Sequence, residues 1–189
     1  MRILTRWTSA DLLTLPQGRG LRYEIIDGEL YVTMHPSVTH QATCGALVAA
    51  LGAWGLTTGL GLTVGAPGLL FPSGDEVIPD VVWISHDRLQ GVLDPDGHFT
   101  RAPELVVEVL APGLANQHRD RVVKLGLYGR EGVQEYWLVA PQGQTVNVCR
   151  FEAEDLVEIV ALFAAEGGTL TSPLLPGFSC PVQTLFRWP

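Results

Sequence analysis

Charge is scarce in this 189-residue sequence: 17% of its residues are Asp, Glu, Lys or Arg, against 47% hydrophobic. That balance excludes an intrinsically disordered chain and supplies enough apolar side chains for a sizeable core. Positive charge is scarcer still. Twelve basic residues stand against twenty acidic ones, a formal net charge of −8, the wrong sign for gripping nucleic acid by electrostatics alone. No apolar run reaches the roughly 18–20 residues a membrane span needs, so no membrane association is expected. The first seven residues lack the apolar stretch of a secretory leader. Cysteine is limited to Cys44, Cys149 and Cys180, odd in number, far apart and at no zinc-ligand spacing. Reduced thiols in a cytoplasmic protein are the expectation.

The basic residues are themselves biased: eleven are Arg and one, Lys124, is Lys. In such a chain a Lys that Arg could replace would be written as Arg. A lone Lys is therefore a candidate for chemistry that needs a compact ammonium or a movable pKa. The other reading is a surface Lys that survived by chance.

Length points to a single domain over 1–189, with 1–21 as a helical lead-in and 22–186 as the core. A short capped helix is expected over 8–13, then a loop through Gly18 and Gly20. Asp27-Gly28 between two alternating runs is a strong hairpin signal over 22–34. Ala and Leu at helical spacing predict a helix over 37–54. Residues 62–64 and 69–71 read as the strands of a second hairpin. Two nearly all-apolar runs, 80–84 and 105–110, read as central strands buried on both faces, with a loop over 87–101 between them. A helix over 116–130 that Gly132 ends, strands over 135–139 and 145–150, and a weaker strand pair in the tail complete the pattern. Leu174 to Phe178 is expected to pack back on the body. The sum is a mixed α/β domain, three or four helices around one sheet, with most of the five Trp residues, Trp188 among them, in its core.

Glu108 sits inside an otherwise apolar strand. A carboxylate there costs several kcal/mol, on the order of an unpaired buried charge, unless a cation or donors meet it. The alternatives are a functional site and a buried ion pair with an Arg. Asp80 opens the preceding strand after Pro79; alone it reads as a turn cap, but beside Glu108 it becomes half of a two-carboxylate pocket suited to a hard cation such as magnesium. Lys124 lies on the helix after the Glu108 strand. It either pairs with Asp120 on a solvated face or reaches the strand ends to orient water and offset phosphate charge. Arg119, Arg121 and Arg130 are the candidates for a phosphate-contacting patch. His35, His86, His98 and His118 show no ligand spacing and read as surface or loop residues.

Pro79-Asp80, Glu108 and Lys124, with Tyr23-Glu24, Asp27-Gly28-Glu29, His40-Gln41, the run 103–110, Tyr128, Gly132-Val133, Glu135-Tyr136-Trp137 and Leu175-Pro176-Gly177-Phe178, resemble the Uma2 family of the PD-(D/E)XK nuclease superfamily. The resemblance spans about 23–186. It implies a restriction-endonuclease-like core, a central mixed sheet flanked by helices with an N-terminal β-hairpin. It implies a metal-dependent endonuclease acting on DNA, with Asp80 and Glu108 holding Mg2+ or Mn2+ and Lys124 positioning water or phosphate. In the standard motif a Lys stands two residues after the acid. Leu110 is there instead, and Lys124 resembles the migrated Lys of other superfamily members. Glu24 matches an upstream family glutamate that would supply a further carboxylate; an exposed hairpin position is its other reading. His40 matches a family histidine, with a helix-capping or hydrogen-bonding role as the competing reading. The chain departs from the family at Ala111-Pro112-Gly113 and Ala140-Pro141. A homodimer is a further implication. The alternative from a different class is a non-catalytic module of the same fold that binds nucleic acid or protein.

Overall fold

In a computed structural model of the chain, residues 6–16 and 20–187 are described; Gly18 and Trp188 lie outside the described residues. Helix α1 (Ser9–Leu12) starts at Thr8, whose backbone and hydroxyl both donate to Asp11, a capping box that satisfies free first-turn donors. Strands β1 (Arg22–Ile26) and β2 (Glu29–Thr33) form the expected hairpin. Its two turn residues have positive φ, 55° at Asp27 and 76° at Gly28, the conformation that matches the twist of the flanking strands. Helix α2 (Val38–Thr58) is capped by the Ser37 hydroxyl, which accepts from the His40 N–H. It runs past residue 54 to a left-handed stop at Gly59.

The rest of the chain follows as β3 (Gly61–Gly65), β4 (Leu69–Leu70), β5 (Glu76–Val77), β6 (Val81–Ser85), α3 (His86–Leu89), β7 (Leu105–Val109), α4 (Leu114–His118), α5 (Lys124–Arg130), β8 (Glu135–Ala140), β9 (Thr145–Glu152), β10 (Asp155–Phe163), β11 (Thr169–Leu170) and β12 (Cys180–Pro181). The main sheet has six strands in the order β10-β9-β8-β7-β6-β3, mixed because β7 and β8 run parallel. Parallel neighbours need a crossover, and the segment carrying α4 and α5 provides it. A four-stranded sheet, β2-β1-β5-β4, lies apart, and β11 pairs with β12.

Several expectations are corrected. Residues 62–64 and 69–71 do not pair with each other: β3 pairs with β6, and β4 with β5 in the other sheet. Ala66, at φ 50° between them, donates its N–H to the Asp80 carbonyl, which turns the chain off the main sheet. One sheet thus becomes two larger ones and a small pair. The loop over 87–101 begins within α3, whose Ser85 cap accepts from the Arg88 N–H. In the tail, β10 extends the main sheet beside β9, and β11 and β12 form a strand pair on either side of the Leu174–Phe178 segment. Leu175 and Phe178 do pack back, Phe178 against Trp54 and Trp137.

Both faces of the main sheet are covered. On one, α2 presents Cys44, Leu47 and Leu51 to Val81, Trp83, Val107, Val109 and Trp137. On the other, Leu127 and Tyr128 of α5 meet Val82, Ile84, Val106, Leu110 and Tyr136. Side chains alternate along a strand, so Glu108 shares the α5 side with Val106 and Leu110.

Candidate active site

At the end of β7 the sheet gathers four buried ionisable side chains: Glu24, Asp80, Glu108 and Lys124 are each between 1% and 6% exposed. Lys124 Nζ donates to Glu108 Oε1 and to Glu24 Oε1, both at 2.8 Å. Tyr128, one helical turn further on, donates its hydroxyl to the same Glu108 oxygen at 2.9 Å. Glu24 Oε1 also accepts from the Ile78 N–H at 2.9 Å. Asp80 sits alongside. Its Oδ2 accepts from the Val109 N–H at 2.8 Å, its Oδ1 is 3.1 Å from His40 Nε2, and Arg22 Nη1 approaches to 3.5 Å.

The helix places Lys124 through a local irregularity. Residues Arg119–Val123, between α4 and α5, form a π-helical turn, and the Lys124 N–H bonds the Arg119 carbonyl five residues back. Such single-turn widenings cluster at functional sites. Here the turn puts Arg119, Asp120 and Lys124 on the buried side together. The Tyr136 hydroxyl donates to the Asp120 carbonyl within it at 3.0 Å. The helix expected over 116–130 is thus three helical pieces starting at Leu114.

Lys124 is neither a surface survivor nor the partner of Asp120. The Asp120 carboxylate is bound by Arg119, through Nε at 2.7 Å and Nη2 at 3.1 Å. The ion pair of Glu108 is with Lys124, not with an Arg. Glu24 is buried, because the β1 face that carries it turns toward Lys124 rather than to solvent. His40 is not the cap of α2, a role that Ser37 fills. Of the three arginines in the expected phosphate patch, Arg119 lines the cleft beside Lys124. Arg130 instead binds Asp27 and Asp75, anchoring the hairpin turn, and Arg121 does not line the cleft.

A cleft of about 620 Å³ opens over this cluster, lined by Arg22, Glu24, His40, Asp80, Glu108, Arg119 and Lys124 among others. The charge around its floor is uneven by one: Glu24, Asp80, Glu108 and, buried behind them, Asp120 stand against Arg22, Arg119 and Lys124. Burial pushes the Glu108 carboxyl up to about 8; Lys124 pulls it down, but Asp80, Asp120 and Glu24 add to the rise. Burial alone would lower the Lys124 ammonium, yet Glu108, Glu24 and Asp120 raise it. A surplus of negative charge makes acid and base alike hold their protons more tightly. Asp80 goes the other way. Burial would raise it, but the hydrogen bond and charge of His40 and the Val109 N–H hold it below the usual value.

The donor set fits a divalent cation. Both protein donors to Glu108 fall on Oε1, so Oε2 is not spent within the protein among the described residues. The carboxylates supply hard oxygen ligands, and the surplus negative charge would be relieved by a cation.

Residues 9–183 match the Uma2 family, described as "Putative restriction endonuclease". The chain belongs to the Uma2 family. It is also similar in structure to a protein from Anabaena variabilis titled a "putative nuclease belonging to DUF820", with a TM-score of 0.76 and 21% sequence identity over 96% of this chain and 98% of that one. No curated protein matches the sequence. The Uma2 fold accounts for the mixed sheet and the N-terminal hairpin that the sequence resemblance implied. No helix among the described residues is long and apolar enough to cross a membrane.

Arg22, which lines the cleft, and Tyr128, buried beside it, carried no site role in the sequence. Arg22 lies on the hairpin strand, and no local pattern marks it. Tyr128 had a signal: it stands four residues after Lys124, on the same helical face.

Proposed function

We propose that this Uma2 protein is a metal-dependent endonuclease that hydrolyses DNA phosphodiester bonds. The observation that carries the reading is the buried contact between Lys124 and Glu108, with Asp80 beside them, on the floor of an open cleft. Asp80 and Glu108 would hold Mg2+ or Mn2+, and Glu24, bound to Lys124 beside them, would add a further carboxylate. A bound divalent cation would polarise the phosphodiester and lower the pKa of water. Lys124 brings a fixed positive charge to the cleft wall, where it positions water or offsets charge growing on the phosphate. Glu108 and Glu24 hold that ammonium in place, and Tyr128 donates to the same Glu108 oxygen as Lys124. His40 orients Asp80 from the start of α2. Arg119 and Arg22 present guanidinium groups to the same cleft, the geometry that suits phosphate oxygens.

A homodimer and a cytoplasmic setting belong to the same reading. Supporting the first is β10, which ends the main sheet with an unpaired edge and carries exposed Val157 and Ile159. Supporting the second are three cysteines, all buried and unpaired.

The test is incubation of the protein with duplex and single-stranded DNA in Mg2+ or Mn2+. Cleavage that needs the ion and disappears in Glu108→Ala is the expected result. The second reading, a non-catalytic module, is favoured by the net charge of −8 and by the engagement of Lys124 with two carboxylates. DNA binding that survives Glu108→Ala, with no cleavage by the unaltered protein, would establish it instead.

A further inference from the structure

His40 and Cys44 stand one turn apart on the same side of α2, and Asp80 of the neighbouring sheet meets them. One ligand atom from each of the three lies within 4.8 Å of the other two. We propose that His40, Cys44 and Asp80 form a binding site for a thiophilic divalent transition metal, Zn2+ or Co2+, distinct in chemistry from the all-oxygen magnesium site that Asp80 shares with Glu108.

The donor set decides the metal class. Thiolate and imidazole are soft and borderline ligands that select zinc and cobalt, whereas magnesium takes oxygen ligands and keeps its water. The spacing agrees. Ligands at 2.0–2.3 Å around a tetrahedral zinc lie roughly 3.3–3.8 Å apart, and His40 Nε2 already lies 3.1 Å from Asp80 Oδ1. Nε2 is the ring nitrogen that faces the site; Nδ1 is buried with no hydrogen-bond partner among the described residues, so no neighbour fixes the tautomer and Nε2 can present its lone pair to a metal. The cleft reaches His40 and Asp80 directly, and Cys44 is buried beside them, so an ion would enter from the His40–Asp80 side.

Sequence spacing alone could not show this site. The three cysteines are far from one another, and His40-x3-Cys44 is only a pair. The third ligand comes from forty residues away in the chain. On coordination the Cys44 thiol gives its proton to solvent, and the bound ion takes Asp80 away from any magnesium ion. The inference touches the nuclease reading only at Asp80 and does not depend on turnover.

The experiment is a titration of the full chain with CoCl2 alone, followed by absorption spectroscopy. The expected result is a thiolate-to-cobalt charge-transfer band that saturates at one equivalent and is erased by an equivalent of Zn2+ but not by excess Mg2+. The band should persist in Cys149→Ser and Cys180→Ser and vanish in both Cys44→Ser and Cys44→Ala, with circular dichroism showing each variant folded. No band in the unaltered protein, or a band that survives both Cys44 substitutions, overturns the proposal. Glu108→Gln separates the two readings: it should keep the cobalt band while removing any magnesium-dependent cleavage. Loss of the band in that variant, with the fold intact, also counts against the site.

Discussion

Glu108 and Lys124, sixteen residues apart in the chain, meet at 2.8 Å with side chains only 4% and 1% exposed. The strand supplies the acid and the following helix supplies the base, so the pair ties the β7-to-β8 crossover to the sheet. Surplus negative charge around it makes the pair responsive to pH, to cations and to substitution.

Stability should fall as pH rises from about 4.5 to about 8. Glu108 in the fold holds its proton up to about 8, whereas the unfolded chain releases it near the ordinary glutamate value of 4.5. A raised carboxyl contributes most below the unfolded value, and that contribution is lost as pH climbs through the folded one. The slope from this group is at most about 1.4 kcal/mol per pH unit. Glu108→Gln cannot titrate, so its melting temperature should gain on that of the unaltered protein between pH 5 and pH 8. Parallel thermal melts at both pH values measure this; a constant difference would show that Glu108 does not titrate in the window.

Manganese should raise the melting temperature of the unaltered protein by linkage. The shift should be absent in Asp80→Asn and in Glu108→Gln. A shift of equal size in all three would place the ion elsewhere.

Lys124→Met should destabilise the fold by about 3–5 kcal/mol in urea unfolding at pH 8, because it leaves Glu24 and Glu108 buried with no cation. The loss should shrink at pH 5, where Glu108 is protonated. Tyr128→Phe removes a single donor to Glu108 and should cost about 1.5–3 kcal/mol above pH 8, where the acceptor is charged, and about 0.5–1.5 kcal/mol at pH 5, where it is protonated.

Deleting Val122, an exposed residue of the π-helical turn, should leave a regular helix. The residues on one side then rotate by about 100° relative to those on the other, so Arg119 and Lys124 can no longer share the buried face. Helix content by circular dichroism should be retained while the manganese shift is lost. A variant that keeps the shift would show that the widened turn is not what positions Lys124.

If β10 is the dimer interface, Ile159→Lys at its centre should convert a dimer into a monomer in sedimentation velocity without lowering the melting temperature of the fold. Charged residues on an edge strand oppose edge-to-edge pairing.

The sequence alone was enough to settle the local choices, because local chemistry controls them. Asp27-Gly28 fixes a turn that needs positive φ, Ala and Leu at helical spacing mark α2, and continuous Val, Leu and Ile runs can be stable only as strands covered on both faces. The same logic singled out Glu108, since a carboxylate in such a strand demands a partner, and Lys124, since it is the lone Lys. Which partner each found was decided by the tertiary structure. Strand parity put Glu108 on the α5 side, the π-helical turn aimed Lys124 at it, and packing of the first hairpin brought in Glu24 from 100 residues away. The misplaced hairpin over 62–71 has the same cause: strand pairing is a contest among distant segments, and β6 and β5 won β3 and β4 through contacts that short windows do not contain. Beside Glu108, Asp80 could be read from the sequence as half of a magnesium site, but its meeting with His40 and Cys44 exists only because α2 packs on one face of the sheet.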